Sequence, residues 1–545
     1  MEYGPAAPSY YNSRLPSGQI YRIHDNFEIL TEILPSDRAR DADRSAMIIP
    51  HSAAIDLAPL IMILHFIPLS RKALLNFGTE IVNDFGYDES WWAGALIDMS
   101  DQLDDNGSDS GSDDESNASM SKRLIVECQR LMAFLDGGSK RSFATLDNLL
   151  LDIPSDYKSI FNGQVRSNDN TIGLFLKSLT KYWGENNDLS NVFRATVISH
   201  DSENEIPLCN LSVEVPSNSP RSLYQIIDEM IWPDGIYENW FVKVPDILTL
   251  TFKRGDEQSG TGFAIPEFWR PDRYKKDSIP SVKWMMERQS EVENQLAILR
   301  NKKYKLLNYQ GKSVVKFLDV SVDYFKEMKT RSKDNELIEL NEIEKDDPLS
   351  ETMDELILIR NKWDSKIRDI TETIMHLEQE LEQIILLNER GELKCEASSG
   401  DTVKLRDYIL SGVILSPTEF YIRTKKSQLI DDDKIEWYKF HYNAAPGTSC
   451  VVEKVTIEKV IEIVTIGSVE YSAQEVSVVY TSSEAWDDVH RISLPPKLDE
   501  FIVLDRMAFE DELSRESDPI VLADREHIES QEFDLEDKIK TEEFS

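Results

Sequence analysis

The stretch from Val242 to Tyr274, VKVPDILTLTFKRGDEQSGTGFAIPEFWRPDRY, contains the strongest strand pattern in the chain. Its first part, residues 244–253, is a dense apolar run in which Thr249 and Thr251 are interleaved. β-Branched and aromatic residues suit a pleated surface, and a run this apolar is typical of a strand buried on both faces. Gly and Pro clusters follow, and then a long helical pattern begins. We therefore predict that this strand lies inside a sheet whose other strands come before and after a large helical insertion.

The composition limits the partners that the chain can have. It has 545 residues, with 60 Lys and Arg against 99 Asp and Glu, which gives a formal net charge of −39. Such a surface repels nucleic acid and anionic lipid, so we expect neither a nucleic acid nor a membrane as a partner. The first residues lack the pattern of a signal peptide, and no apolar run reaches bilayer length. We expect the protein in the cytoplasm or the nucleus.

The cysteines give no evidence of a metal site or a disulfide framework. They are scattered without paired spacing, which predicts reduced thiols, no metal and no cofactor. The four are Cys128, Cys209, Cys395 and Cys450.

Shifts in composition divide the chain into five parts of an α+β fold. The amino-terminal and carboxyl-terminal parts are polar or acidic and are predicted to be disordered, as is an acidic Ser/Asp/Gly loop at 98–121. The predicted parts are a disordered arm at 1–45, the first half of a mixed domain at 46–279, a helical insertion at 280–395, a β-rich second half at 396–510 and an acidic tail at 511–545.

The helical insertion carries a heptad-like pattern. Its apolar residues step by four and three. They are Leu356, Ile359, Trp363, Ile367, Ile370, Ile374, Leu377, Leu381 and Ile384. Such a seam must be covered, either by a neighbouring helix of the same chain or by a second copy in a homodimer.

A short motif lies in the arm. Ala7, Pro8, Ser9 and Tyr10 deviate by one residue from the Pro-Pro-x-Tyr ligand of WW domains. Polyproline-type segments dock into aromatic grooves, which makes this a candidate partner-binding segment. The alternative is a disordered terminus without a partner.

Several segments, in order, resemble the ubiquitin-specific proteases. Residues 244–254 resemble the "LPxVLxIHLKRF" palm strand, and 263–274 resemble the "FPxxxxxDRY" stretch that precedes a helical insertion in one branch of the family. Residues 408–421 are similar to the strand pair around the His box, and 437–440 match "WYxF". Residues 57–75 resemble the helix of the Cys box. The resemblance implies a degenerate papain-like ubiquitin-specific-protease fold with a long, coiled-coil-like helical insertion.

The catalytic residues that the resemblance implies are missing from the sequence. This peptidase needs a thiolate at the start of its first helix, a His to take the proton and an Asp or Asn to orient that His. The Cys position falls on Ile55 and the His position on Phe420. The orienting position falls on His441 or Tyr442. We therefore predict that the domain is not an enzyme.

An inactive domain with these features resembles fungal ubiquitin-interaction proteins. That resemblance implies an adaptor that binds a deubiquitinase and a HECT-type ubiquitin ligase. Ubiquitin itself is a further candidate partner. Two alternatives stay open. One is a cysteine-type ubiquitin hydrolase with a relocated nucleophile, Cys128 or Cys450, in which His441 and Cys450 would form the replacement dyad. The other is a coiled-coil scaffold that dimerises through residues 280–395.

Overall fold

The chain forms two compact units. The computed structural model describes residues 30–31, 33–41, 45–50, 56–77, 84–97, 113–153, 170–181, 188–199, 204–215, 222–232, 239–254, 265–335, 348–394, 402–425, 435–443, 449–470, 475–486 and 493–517. The first unit contains the chain up to Lys275 and from Arg406 onward, and the second runs from Lys276 to Leu405.

The elements alternate between helices and strands in the first unit and are mostly helical in the second. The strands are β1 Met47–Ile49, β2 Phe143–Thr145, β3 Ala195–Ser199, β4 Glu205–Leu208, β5 Leu211–Val215, β6 Asn239–Lys243, β7 Ile247–Arg254, β8 Phe268–Trp269, β9 Asn308–Tyr309, β10 Lys312–Ser313, β11 Glu392–Lys394, β12 Thr402–Lys404, β13 Tyr408–Ser416, β14 Glu419–Lys425, β15 Ile435–Asn443, β16 Ser449–Val455 and β17 Glu475–Ser482. The helices are α1 Pro35–Arg38, α2 Leu57–Phe66, α3 Pro68–Asn76, α4 Asp113–Leu135, α5 Asp147–Leu151, α6 Thr171–Lys181, α7 Asp188–Phe193, α8 Leu223–Ile231, α9 Ile279–Leu307, α10 Val314–Asn335, α11 Pro348–Arg390, α12 Ile457–Glu470 and α13 Pro496–Glu516. The predicted mixture of helices and sheet is confirmed.

The main sheet of the first unit has the order β16-β15-β14-β13-β17-β7-β5, and β8 adds to β13. Strand β7 pairs with β17 in antiparallel fashion and with β5 in parallel fashion. The predicted interior strand is therefore confirmed, since its neighbours come from both sides of the second unit in the sequence. Thr249 and Thr251 are buried within it, and their hydroxyls bond to Cys209 O at 3.0 Å and Ser477 Oγ at 2.9 Å. Hydrogen bonding lets these two polar residues occupy a buried strand.

The second unit is a rod in which one long helix backs two shorter ones. Helix α11 pairs with α9 and with α10, and it runs antiparallel to both. The Arg288–Glu380 ion pair and the Trp363 Nε1 to Leu306 O bond of 3.1 Å fix the α9 register, while Arg360 pairs with Asp319 of α10. Along α9, the seam is filled by Val292 and Leu296 against apolar residues of α11. Most of the predicted heptad positions thus pack within the chain, but Ile359 is 48% exposed.

Helices extend into three segments that were predicted to be disordered. The 1–45 arm contains α1, whose Arg38 is buried and pairs with Glu512 at 3.0 Å. The same ion pair holds the end of α13, which continues to Glu516 and so includes the first residues of the predicted tail at 511–545. Residues 36–38 therefore contact the last turns of α13.

The acidic loop predicted at 98–121 is also shorter than expected. Helix α4 begins at Asp113, inside that segment. Acidic residues in a first helical turn interact favourably with the helix dipole, so the composition that suggested a loop is compatible with a helix start. Pro68 lies between α2 and α3 and begins the second of these helices. Proline is well tolerated in a first turn.

Within the described residues, no single helix has the length and apolar character needed to cross a bilayer. Helices α2 and α3 meet those criteria only when taken together, and they are bent by 102°.

Candidate functional site

Helix α2 lies against the main sheet, where the resemblance places a catalytic cleft. Its apolar residues from Leu57 to Leu64 are all buried. Ile63 sits directly over Gly412 of β13, so close that a Cβ at position 412 would lie 2.5 Å from Ile63 Cγ2. The last residue of the helix, Phe66, contacts Phe440 of β15, with ring centroids 6.3 Å apart.

This close approach of helix and strand gives a testable prediction. We expect Gly412→Ala to destabilise the first unit by about 1–3 kcal/mol, because the new methyl group overpacks against Ile63. The measurement is chemical denaturation of the full chain. In an Ile63→Ala background the same change should cost much less. Equal costs in both backgrounds would show that the contact with Ile63 does not limit this position.

An aromatic stack occupies the position that the resemblance assigns to the catalytic base. Phe420 of β14 is 2% exposed and stacks on Phe440, with centroids 5.1 Å apart and ring planes 7° from parallel. Both rings belong to the main apolar core. A phenyl ring cannot accept a proton, and its surroundings are apolar.

Helix α2 meets this stack at its carboxyl-terminal end. In the resembled peptidases the nucleophile sits at the amino-terminal end of the first helix and must reach the base. Here the residue that contacts the Phe420–Phe440 stack is Phe66, at the carboxyl-terminal end of α2. At the opposite end, burial and the charge of Glu475 raise the pKa of Asp56 to about 7. The described residue of α2 that contacts the stack therefore lies at the end opposite to the one where the resemblance expects the nucleophile.

The strand register separates Phe420 from His441. Phe420 is opposite Phe440 and Glu419 is opposite His441, and directly opposed residues point to the same face of a sheet. Since side chains alternate along a strand, Phe420 and His441 point to opposite faces. The orienting position is therefore better assigned to Tyr442, which shares the Phe420 face and is buried. Of the two positions that the resemblance offered, His441 lies on the opposite face from Phe420.

His441 instead belongs to a polar cluster on the other face. Its Nδ1 is 3.9 Å from Glu419 Oε2, which is too long for a hydrogen bond, and its side chain is 50% exposed. Glu419 is buried and accepts a bond of 2.8 Å from the Tyr421 hydroxyl, and its other close partner is Lys439 Nζ at 2.9 Å. Glu419 thus has two partners closer than His441, and the cluster stabilises the β14–β15 pair.

The described cysteines are not arranged as the relocated nucleophile requires. Cys128 is 1% exposed, and burial raises the pKa of its thiol to about 12, so it is protonated at neutral pH. Cys450 is opposite Tyr442, which puts its sulfur on the face of the sheet away from His441. The imidazole of His441 and the sulfur of Cys450 are therefore separated by the sheet itself.

Two groups of candidate residues lie outside the described part of the chain. These are Ile55, which resembles the Cys position, and the WW-type segment at Ala7, Pro8, Ser9 and Tyr10. Their assignments stay predictions. Among the described residues, no group of three or more His, Cys, Asp and Glu side chains is placed to hold a metal ion.

Sequence patterns did not indicate the buried ionic cluster that α13 forms with Trp91 and Arg141. Its centre is Asp505, which is 0% exposed and accepts bonds from Arg141 Nε at 2.9 Å and Trp91 Nε1 at 3.0 Å. Arg141 is 1% exposed and also binds Glu512 through Nη2 at 2.6 Å. The available signal was the four-residue-spaced apolar stripe of α13, interrupted by one acidic residue on the same face.

A second buried carboxyl gives a pH prediction. Asp147 is 2% exposed, and burial raises its pKa to about 7. An unfolded Asp titrates near about 4, so between about pH 4 and 7 the folded state binds more protons, and stability falls as pH rises. We expect Asp147→Asn to remove this slope and to gain about 1–3 kcal/mol over the wild type at pH 8.

Denaturation curves of both proteins across this pH range check the expectation. The exposed Asp499→Asn variant, in the same unit, serves as the control and should keep the wild-type slope. An Asp147→Asn variant with an unchanged pH dependence would contradict the role assigned to its burial.

Comparisons with known proteins find similarity only at the level of solved structures. No protein-family model matches the chain, and no curated protein matches it. The Saccharomyces cerevisiae PAN2 pseudoubiquitin-hydrolase–RNase module is similar at 10% identity and a TM-score of 0.35, covering 84% of this chain and 55% of that one. A Saccharomyces cerevisiae apo Pan2 pseudoubiquitin hydrolase–RNA exonuclease module in complex with RNA is similar at 11% identity and a TM-score of 0.35. That match covers 90% of this chain and 58% of the other.

A third structure, the yeast SAGA DUBm with a mutant Sgf73, has 10% identity and a TM-score of 0.32, and covers 80% of this chain and 66% of that one. The chain therefore spans little more than half of the two Pan2 structures that it matches. TM-scores of 0.32 to 0.35 establish neither a common fold nor a common activity.

Proposed function

We propose that the chain is a non-catalytic adaptor of the ubiquitin system. Its first unit would be a degenerate papain-like, ubiquitin-specific-protease-type domain, and residues 276–405 would be the long helical insertion of that domain. Its partners would be a deubiquitinase and a HECT-type ubiquitin ligase, with ubiquitin as a further ligand. The order of the resembling segments supports this proposal, since strands β7, β13, β14 and β15 arise from them and join one sheet.

One observation carries the non-catalytic part of the proposal. The position expected to hold the catalytic base holds Phe420, stacked flat on Phe440 inside the apolar core. Introducing a base there would bury an imidazole without a polar partner, which costs free energy. This position therefore contributes to core packing, and the function that we propose for the domain is binding through its surface.

A ubiquitin derivative with a carboxyl-terminal electrophile tests the absence of catalysis. We expect no covalent adduct with the full chain under conditions where an active deubiquitinase is labelled completely. An adduct that disappears in Cys450→Ala or Cys128→Ala would overturn the proposal in favour of a relocated nucleophile.

Affinity capture of the tagged full chain, followed by mass spectrometry, tests the adaptor role. Recovery of a deubiquitinase and a HECT ligase together would support it, and their absence from repeated captures would overturn it. A Tyr10→Ala variant examines the WW-type segment, because loss of the ligase alone would assign that partner to residues 7–10.

Light scattering on the purified full chain tests homodimerisation. A monomer would contradict a homodimer formed through the helical insertion.

A further inference from the structure

A basic segment stands out on the rod in an otherwise acidic chain. Every charged residue between Asn294 and Leu318 is positive, although the whole chain has a net charge of −39. The residues concerned are Arg300, Lys302, Lys303, Lys305, Lys312 and Lys316. This run of positive charges creates a positive electrostatic potential, because no acidic residue lies between Asn294 and Leu318 to offset it.

The segment covers the junction between α9 and α10, where the β9–β10 hairpin interrupts the helix. Gln310 and Gly311 form its turn, with φ of 49° and 77°. A Cβ at Gly311 would meet no atom within 4 Å, so the turn projects into open space. The bond from Trp363 Nε1 to Leu306 O places α11 alongside the last turn of α9.

The lysines of this segment are available for a ligand. No side chain of the described residues forms an ion pair with Lys302, Lys305 or Lys312, and the same holds for Lys303 and Lys316. Other basic side chains of the rod are paired, including Arg300 of this segment, which binds Glu378 at 2.7 Å. Examples of those pairs are Lys283–Glu287, Lys326–Asp323 and Arg331–Glu327.

Large aromatic side chains are exposed among these lysines. Tyr304 is 65% exposed, Tyr309 is 68% exposed and Phe317 is 70% exposed. They follow the same path as the basic residues, from the last turns of α9 through the hairpin to the first turn of α10. Exposed rings that alternate with cations offer apolar contact and charge attraction to one ligand.

We infer that this basic–aromatic surface binds a short acidic segment of a partner protein, one that also carries apolar side chains. The carboxylates would contact the unpaired lysines, and the apolar side chains would cover Tyr304, Tyr309 and Phe317. This inference goes beyond the adaptor role because it gives the chemistry of one partner, and it holds whether or not the chain is catalytic.

The boundaries of the surface favour a peptide over a nucleic acid. Acidic residues return on both sides, at Glu291 and Glu293 on α9 and at Asp319 and Asp323 on α10. The helical ends and the hairpin together span roughly 20–25 Å, which matches about six to eight extended residues. A longer polyanion would run onto these acids, which lie within a few Debye lengths of about 8 Å.

Fluorescence anisotropy with the full chain tests the inference. The probe is a labelled peptide of about eight residues, with Asp and Glu flanking one Phe and one Leu. We expect binding that weakens with added salt, and a loss of at least about tenfold in affinity for Lys302→Glu/Lys305→Glu/Lys312→Glu. The matched control Lys276→Glu/Lys283→Glu/Lys404→Glu reverses three lysines of the same unit outside the surface, and it should bind like the wild type.

A second variant separates apolar contact from charge. Tyr304→Ala/Tyr309→Ala/Phe317→Ala keeps every lysine, and we expect it to lose affinity for the probe while circular dichroism and thermal unfolding stay as in the wild type. Equal affinity of the charge-reversal variant and its control would overturn the inference, as would no binding by the wild type. Tighter binding of an oligouridylate of matched length would overturn it in favour of a nucleic acid.

Discussion

Asp505→Ala is expected to destabilise the first unit by about 3–5 kcal/mol, the cost of removing one partner from a buried ion pair. The carboxylate of Asp505 is fully buried and binds Arg141 Nε at 2.9 Å, and Trp91 Nε1 and Ser139 Oγ also donate to it. Its loss leaves a buried guanidinium whose remaining anionic partner is Glu512. Arg38 also pairs with Glu512. Burial, and to a lesser extent the positive charge of Arg141, lowers the pKa of Arg38.

The measurement is guanidinium denaturation of the full chain, followed by tryptophan fluorescence because Trp91 reports on this cluster. Asp511→Ala, an exposed change on the same helix, is the control and should stay within about 0.5 kcal/mol of the wild type. A loss for Asp505→Ala below about 1 kcal/mol would mean that α13 does not depend on this cluster. Asp505→Asn should fall between the two, since the amide retains hydrogen bonds but not the charge.

Phe420→Ala is expected to cost a similar amount, about 3–5 kcal/mol, because it removes a buried ring and leaves a cavity beside Phe440. The stacked pair adds about 0.5–1.5 kcal/mol to the burial term. Phe420→His should also be strongly destabilised, since its imidazole would be buried without a polar partner. It should remain unlabelled by the ubiquitin electrophile, because a base at this position has no thiolate beside it.

Thermal and chemical unfolding of the variants check this expectation. Phe268→Ala is the control, because Phe268 is 42% exposed in the same unit and its loss should cost much less. If Phe420→Ala and Phe268→Ala had similar effects, the stack would not be a core element. If Phe420→His became reactive toward the electrophile, the domain would retain a functional nucleophile.

Local patterns predicted much of the secondary structure. The apolar run at residues 247–252 is a buried strand, as predicted. Helix α8 begins with a capping box, in which Gln225 N donates to Ser222 Oγ and Ser222 N donates to Gln225 Oε1. The helix from Leu57 was also predicted, because its apolar spacing and Pro68 are both local signals.

The arrangement of the candidate site could not be predicted in the same way. His441 and Tyr442 are adjacent in sequence, and only strand register decides which of them shares a face with Phe420. Arg141 and Asp505 are far apart in the chain, and no periodic pattern links them. Arm and tail were predicted to be disordered because they are polar or acidic and lack an apolar period, but Arg38 of the one pairs with Glu512 of the other.

By itself, the sequence determined that a base is absent at position 420, that β7 is an interior strand, and that residues 300–316 reverse the sign of an acidic chain. These properties depend on residue type and short spacing, which the chain carries locally. Only the tertiary structure decided that Phe420 stacks on Phe440, that His441 faces away from it and that Asp505 closes α13 onto Arg141. Each of these depends on register and on contacts between distant segments, which the packing of the sheet and its covering helices alone brings together.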